Sequence, residues 1–199
     1  MPGSILSLLF PRACVGCERD GVLLCEPCAR SCGGSQSIVL GGIAMRAAVP
    51  YAGPVREGIV EFKRGRRAFA GDLAALAARL LEPGLTLVPI PTTRRRVAER
   101  GFDQTRLLAR LLARRHGVNV ATLLRATHGA AQHGRSRSER LAARGRFACV
   151  ANPGASGTRL VLFDDVRTTG ATLLDAADAL HEKGYDVREA LTLAWTPST

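Results

Sequence analysis

One stretch near the end of the chain, Phe163-Asp164-Asp165-Val166-Arg167-Thr168-Thr169-Gly170-Ala171-Thr172, restricts the possible folds more than any other. The residues leading into it, Arg159-Leu160-Val161-Leu162-Phe163, are a continuous apolar run of the kind a strand covered on both faces requires. Residues 169–183 carry helical spacing and stop at Gly184. Open α/β sheets take their ligands at the carboxyl ends of parallel strands, where this turn would lie. Free N–H groups and the positive end of a helix dipole favour a phosphate there. Gly170 lets the backbone approach closely, and the hydroxyls of Thr168, Thr169 and Thr172 add donors. Asp164 and Asp165 would accept hydrogen bonds from sugar hydroxyls or hold Mg²⁺ through water. An ordinary Asp-capped helix explains one carboxylate and one threonine, but not the whole series. Other phosphate signatures are missing: the chain has no GxGxxG, no Gly-Lys-Ser/Thr and no Asp-x-Asp pair.

The remaining pattern predicts an α/β fold. Apolar runs at 37–40 and 44–51 predict a hairpin across Gly41-Gly42. Pro54 opens a helix with Val55, Ile59 and Phe62 on one face, ending near Gly65. Asp72 is expected to cap a second helix that ends at Pro83-Gly84. Residues 85–90 read as a buried strand, and 103–116 as a helix with a stripe of Leu107, Leu108, Leu111 and Leu112. Residues 127–146 lack periodicity and read as a basic loop; 147–150, 159–163 and Val187–Trp195 read as strands. Strands separated by helices imply a largely parallel sheet flanked by helices. No apolar run approaches the roughly 18 residues that span a bilayer. Residues 1–10 have neither a basic start nor a small-residue cleavage site, so the expectation is a cytoplasmic protein without membrane insertion.

Charge and cysteines are both unevenly placed. Between Arg94 and Arg146 there are 14 arginines against Glu99, Asp103 and Glu139, which accounts for the net +11 of the chain. A local anionic partner follows from that concentration. Five of the six cysteines lie between Cys14 and Cys32. Cys14-x2-Cys17 and Cys25-x2-Cys28 have the spacing of a tetrahedral structural zinc site, with Cys32 able to replace Cys28. Residues 1–36 then form a Cys-rich knuckle ahead of the 37–199 domain, and Cys149 is expected to be a small buried hydrophobe.

The loop at 163–172 resembles the phosphoribosyl-pyrophosphate (PRPP) signature of type I phosphoribosyltransferases. Further segments resemble the ComF family of competence-associated proteins: the four cysteines, 51–64 with Phe62-Lys63, Val88-Pro89-Ile90-Pro91, Arg100-Gly101-Phe102-Asp103-Gln104, and 132–140. The resemblance implies a type I phosphoribosyltransferase-like, Rossmann-like parallel sheet and a Mg²⁺-dependent transfer of phosphoribosyl from PRPP. Within it Asp164 and Asp165 would contact the ribose and the Mg²⁺ shell as the catalytic acids. Arg167, Thr168, Thr169, Gly170, Ala171 and Thr172 would surround the 5′-phosphate. Thr92, Thr93 and Arg94 would lie at the pyrophosphate, and 132–140 would close over the site. The resemblance also implies a link to DNA uptake, with single-stranded DNA and an uptake helicase as partners. A non-enzymatic DNA- or nucleotide-binding protein that keeps the fold is the alternative. Purine-salvage members carry an acid where Thr168 stands, which argues against a purine acceptor, and Asp103 occupies the place of the family's usual Asn.

Overall fold

The computed structural model describes residues 13–127, 145–151 and 159–197. In chain order these form α1 (Glu26–Ser31), β1 (Gln36–Leu40), β2 (Ile43–Pro50), α2 (Gly53–Lys63), a 3₁₀ turn (Arg67–Phe69), α3 (Ala70–Ala78) and β3 (Leu85–Pro89). There follow α4 (Arg94–Arg100), α5 (Gln104–His116), β4 (Asn119–Val120), β5 (Leu124–Ala126), β6 (Phe147–Cys149), β7 (Arg159–Arg167), α6 (Ala171–His181) and β8 (Val187–Trp195).

Six strands make one sheet in the order β1-β2-β8-β7-β3-β4, parallel throughout except for the β1–β2 hairpin at one edge. The central strands are apolar at successive positions because both faces are covered. Leu85, Leu87, Val161, Phe163, Leu191 and Leu193 face one core, with Val55, Ile59 and Phe62 of α2, Leu73 and Leu76 of α3, and Leu108 and Leu112 of α5. Val88, Ile90, Leu162 and Ala190 face a second core under α6, with Leu173, Ala176, Ala177 and Leu180. Each large apolar side chain so buried contributes about 1.5–3 kcal/mol.

Several expectations are corrected. The strand predicted at 159–163 continues to Arg167, because β8 keeps pairing beside it from Asp164↔Thr192 to Arg167↔Trp195. The two acids therefore sit within the strand. The helix after them starts at Ala171, with Gly170 as its N-cap, and not at residue 169. The strand at 147–150 stands outside the main sheet, where β6 pairs antiparallel with β5. Asp72 lies inside the first turn of α3, which is capped by Phe69. Its Oδ2 instead accepts the backbone N–H groups of Leu23 (2.8 Å) and Leu24 (3.3 Å). That bond ties the Cys-rich segment to the domain, and Leu23, Leu24 and Ala29 enter the larger core. The knuckle thus draws on the domain's core as well as on its sulfurs.

Candidate functional site

The carboxyl ends of β3 and β7, the C-terminal end of α2 and the N-terminal mouths of α5 and α6 meet at one side of the sheet. Asp164 and Asp165 each fold back on the backbone: Asp164 Oδ1 accepts the N–H of Asp165 (2.8 Å), and Asp165 Oδ1 accepts that of Val166 (2.7 Å). The second oxygen of Asp165 lies 2.8 Å from Lys63 Nζ, at the end of α2. Burial, then the adjacent Asp165 charge, pushes the Asp164 carboxyl from the ordinary 3.8 up to about 8; Lys63 works the other way, and Asp103 adds to the rise. The Asp164 carboxyl therefore keeps its proton to a higher pH than an exposed aspartate would.

Asp103 contributes twice. As N-cap of α5 its Oδ1 accepts the N–H of Arg106 (3.0 Å), and its Oδ2 accepts that of Thr92 (3.2 Å). The turn after Pro91 is thereby tied to the mouth of α5. Thr93 caps α4 through the N–H of Arg96 (3.5 Å), and Arg94 is exposed. The sequence places Asp103 at the start of a helix but carries no sign of its bond to Thr92.

At the other acid-side boundary, Gly170 has φ +81°, and an added Cβ would lie 2.8 Å from Leu40 Cδ2 and 3.2 Å from Met45 Sδ. Both the backbone angle and the β1–β2 hairpin behind it demand glycine. Thr169 Oγ1 accepts the N–H of Ala171 (3.3 Å), so the helix mouth retains the first-turn N–H groups of Thr172 and Leu173, which have no intrahelical partner. Thr168 is exposed, and Thr169 and Thr172 are half-buried. Arg167 is placed differently from its neighbours. Its side chain is buried and donates to Gln36 of β1.

Sequence reasoning missed two neighbours of the loop. Asp175, buried in α6, accepts the N–H groups of Gly145 (2.8 Å) and Arg146 (3.1 Å) and the Nε of Arg146 (2.8 Å). Arg146 also donates to the Ala171 carbonyl (2.7 Å) and approaches Thr172 Oγ1 (3.4 Å), which sets a guanidinium beside the helix mouth. Position 175 reads as part of an ordinary amphipathic helix, so its sequence carries no warning of this. The closing segment expected at 132–140 lies outside the described residues.

The basic surface is formed by exposed Arg94, Arg95 and Arg96 on α4 and by Arg110, Arg114 and Arg115 on α5. Phe102, the aromatic within this region, is not available for base stacking. Its ring packs 5.1 Å from that of Phe62 and lies under Arg67.

Beside the start of α2, the sulfurs of Cys14, Cys17, Cys25 and Cys28 lie within 4.8 Å of one another, Cys17 and Cys25 at 3.7 Å. Tetrahedral zinc at about 2.3 Å from each sulfur needs separations of roughly 3.8 Å, so the set fits such an ion. Burial works against ionising Cys14, but the N–H groups of Cys25, Gly16 and Cys17 outweigh it and bring the thiol down to about 6. Hydrogen bonding with Cys25 and Cys17 pushes Cys28 up to about 12, as expected for sulfurs that share protons until a metal replaces them. Cys32 stands apart: its Sγ donates to the carbonyls of Ala52 (3.3 Å) and Cys28 (3.5 Å), leaving Cys28 as the fourth member of the cluster. Cys149 is half-buried and donates to the Ala151 carbonyl (3.2 Å), so it is less enclosed than expected. No helix among the described residues is long and apolar enough to cross a membrane.

Comparison with known proteins agrees with this architecture. No family model matches the chain. It is 34% identical over 145 residues to the competence protein ComFC of Bacillus subtilis, which covers 70% of the chain and 58% of that protein. The chain thus spans a little over half the length of this curated relative. A shorter segment of 37 residues is 49% identical to the orotate phosphoribosyltransferase of Methanopyrus kandleri, covering 19% of the chain and 20% of that enzyme. Together with the parallel sheet, these matches identify the fold as phosphoribosyltransferase-like.

Proposed function

The chain belongs to the ComF family, and from that premise we propose that the β7–α6 turn binds PRPP, or a closely related ribose phosphate, together with Mg²⁺. The observation that carries this reading is the conjunction of Asp164 and Asp165 with the glycine-bounded mouth of α6. Thr168 to Thr172 would take the 5′-phosphate through backbone N–H groups and hydroxyls, with the helix dipole adding to the attraction. Asp164 and Asp165 would hold the ribose hydroxyls and, through water, the cation. Their oxygens are hard donors suited to Mg²⁺, and the ammonium already drawn onto Asp165 marks the place as one that favours a cation. When bound, Mg²⁺ would neutralise the charge that gathers on departing pyrophosphate. The turn of Thr92, Thr93 and Arg94 would flank that group. Arg167 has no part in this scheme beyond bracing the loop against Gln36.

The reaction class is pentosyl transfer to an acceptor other than a purine, given Thr168 where a base-side acid would stand. Isothermal titration with PRPP and Mg²⁺, followed by pyrophosphate-release assays across candidate acceptors, tests both levels. Saturable binding with release for some acceptor is expected. Binding without release under any condition would reject transfer while leaving the ligand reading.

A second reading is favoured by the exposed arginines of α4 and α5: a protein that keeps the ribose-phosphate cradle and binds single-stranded DNA during uptake, with a helicase as partner. With Phe102 buried, such binding would rest on phosphate contacts and fall steeply with salt. Changing Arg94, Arg95 and Arg96 to Ala should weaken DNA retention and flatten its salt dependence. Unaltered affinity would reject that surface.

A further inference from the structure

Lys63 draws attention for what it is and for where it is held. Of 28 basic residues only Lys63 and Lys183 are lysines. Lys183 follows the end of α6 and is exposed. Lys63 ends α2 with its ammonium 2.8 Å from Asp165 Oδ2, its side chain retaining 30% of its exposure and that of Asp165 only 14%. The residue before it is fixed: Phe62 is 1% exposed, and its ring packs at 5.1 Å on Phe102, next in sequence to Asp103. This aromatic contact brings Lys63, Asp103 and Asp165 to the same mouth. Buried Phe62 thus anchors the backbone from which Lys63 extends, while the Lys63 side chain itself stays partly exposed.

A cation that binds Asp165 must compete with this ammonium for the same oxygen. We infer that Lys63 is the built-in counter-ion of the site, seated on Asp165 in the empty protein and transferred to a phosphate oxygen of the ligand once a divalent cation takes the carboxylates. The inference rests on the ribose-phosphate reading given above and assigns a ligand-contacting residue to it. Lysine suits such an exchange. Its charge is compact, its four-carbon stem turns freely, and it makes no planar two-point contact. Arginine, the cation this chain uses almost everywhere else, would grip the carboxylate through a fork and release it reluctantly. Moving the ammonium by its own side-chain rotation would reverse its role from competitor of the metal to partner of the anion, with no backbone shift.

The test uses the full chain as wild type, Lys63→Met and Lys63→Arg. Mn²⁺ alone is titrated by electron paramagnetic resonance, and PRPP at saturating Mg²⁺ by calorimetry. The two readouts should move in opposite directions in Lys63→Met. Mn²⁺ should bind about five- to tenfold tighter because its competitor is gone, and PRPP about tenfold weaker because its cation is gone. Lys63→Arg should weaken Mn²⁺ binding. Affinities that both fall would mean Lys63 merely supports the fold, and affinities that both stay unchanged would mean it does nothing there; either overturns the inference. Wild-type protein that binds Mn²⁺ but not PRPP would overturn the ligand reading, with the Mn²⁺ comparison still deciding whether Lys63 competes. Wild-type protein that binds neither would overturn both.

Discussion

Asp164→Asn should make the protein more stable and less able to hold a metal–ligand pair, and the gain should depend on pH. The carboxyl is raised from 3.8 to about 8 by burial and by Asp165. Between those values the folded protein keeps a proton that the unfolded chain has lost. Stability then falls as pH rises through this window, by up to about 1.4 kcal/mol per pH unit for one proton. The full shift of roughly four units would set a ceiling near 5–6 kcal/mol. Asp164 is half-buried rather than fully enclosed, and the remaining solvent access reduces the penalty at pH 8 to about 1–2 kcal/mol. An amide carries no charge and no such penalty. Thermal unfolding of the asparagine variant should match wild type near pH 4.5 and exceed it by roughly 2–8 °C at pH 8. Scanning calorimetry from pH 4.5 to 8.5 measures this directly. A difference independent of pH, or a variant less stable at pH 8 than at pH 5 relative to wild type, would refute the argument that the acid is strained by its surroundings. The same raised carboxyl predicts that divalent-cation binding tightens as pH rises toward 8, with proton release on binding.

Other consequences can be checked more simply. Gly170→Ala should lose about 1–3 kcal/mol in urea unfolding, since the added Cβ meets Leu40 in a left-handed backbone. Elemental analysis should find about one zinc per chain in the wild type and in Cys32→Ser but none in Cys28→Ser, because Cys28 and not Cys32 joins the sulfur cluster. Asp103→Ala should cost about 1–2 kcal/mol through lost capping and should weaken PRPP binding more than Asp103→Asn, which preserves an acceptor for Arg106 or Thr92.

What the sequence made legible was structure encoded by burial. The hairpin across Gly41-Gly42, the stripe of α5 and the span of β8 follow from apolar periodicity and turn residues, and the structure agrees with each. The stretch from the end of β7 into α6 was recognisable because its acids, threonines and glycine stand in an order no simple cap requires. Elements without an apolar face escaped notice. Helix α4 has no buried residue, so Arg94 to Arg100 read as a charge cluster although Thr93 and Gly101 mark its two ends. Strands β4 and β5 are two and three residues long, too short for any period to register. Long-range polar partners were equally hidden. Nothing local tells that Asp72 serves Leu23 rather than its own helix, that Arg167 is drawn to Gln36, or that Lys63 meets Asp165. Such pairings are set by how the layers close over one another, which no single-residue pattern records.

The account depends above all on two neighbouring carboxylates and the mouth of α6 acting together on one sugar phosphate. Calorimetric titration of PRPP with Mg²⁺ into wild type and into the Asp164→Asn, Asp165→Asn double variant addresses that dependence most directly, with circular dichroism to verify folding. The expected result is saturable, magnesium-dependent heat in wild type and loss of at least tenfold in affinity in a folded double variant. Equal affinity in the two proteins would contradict it.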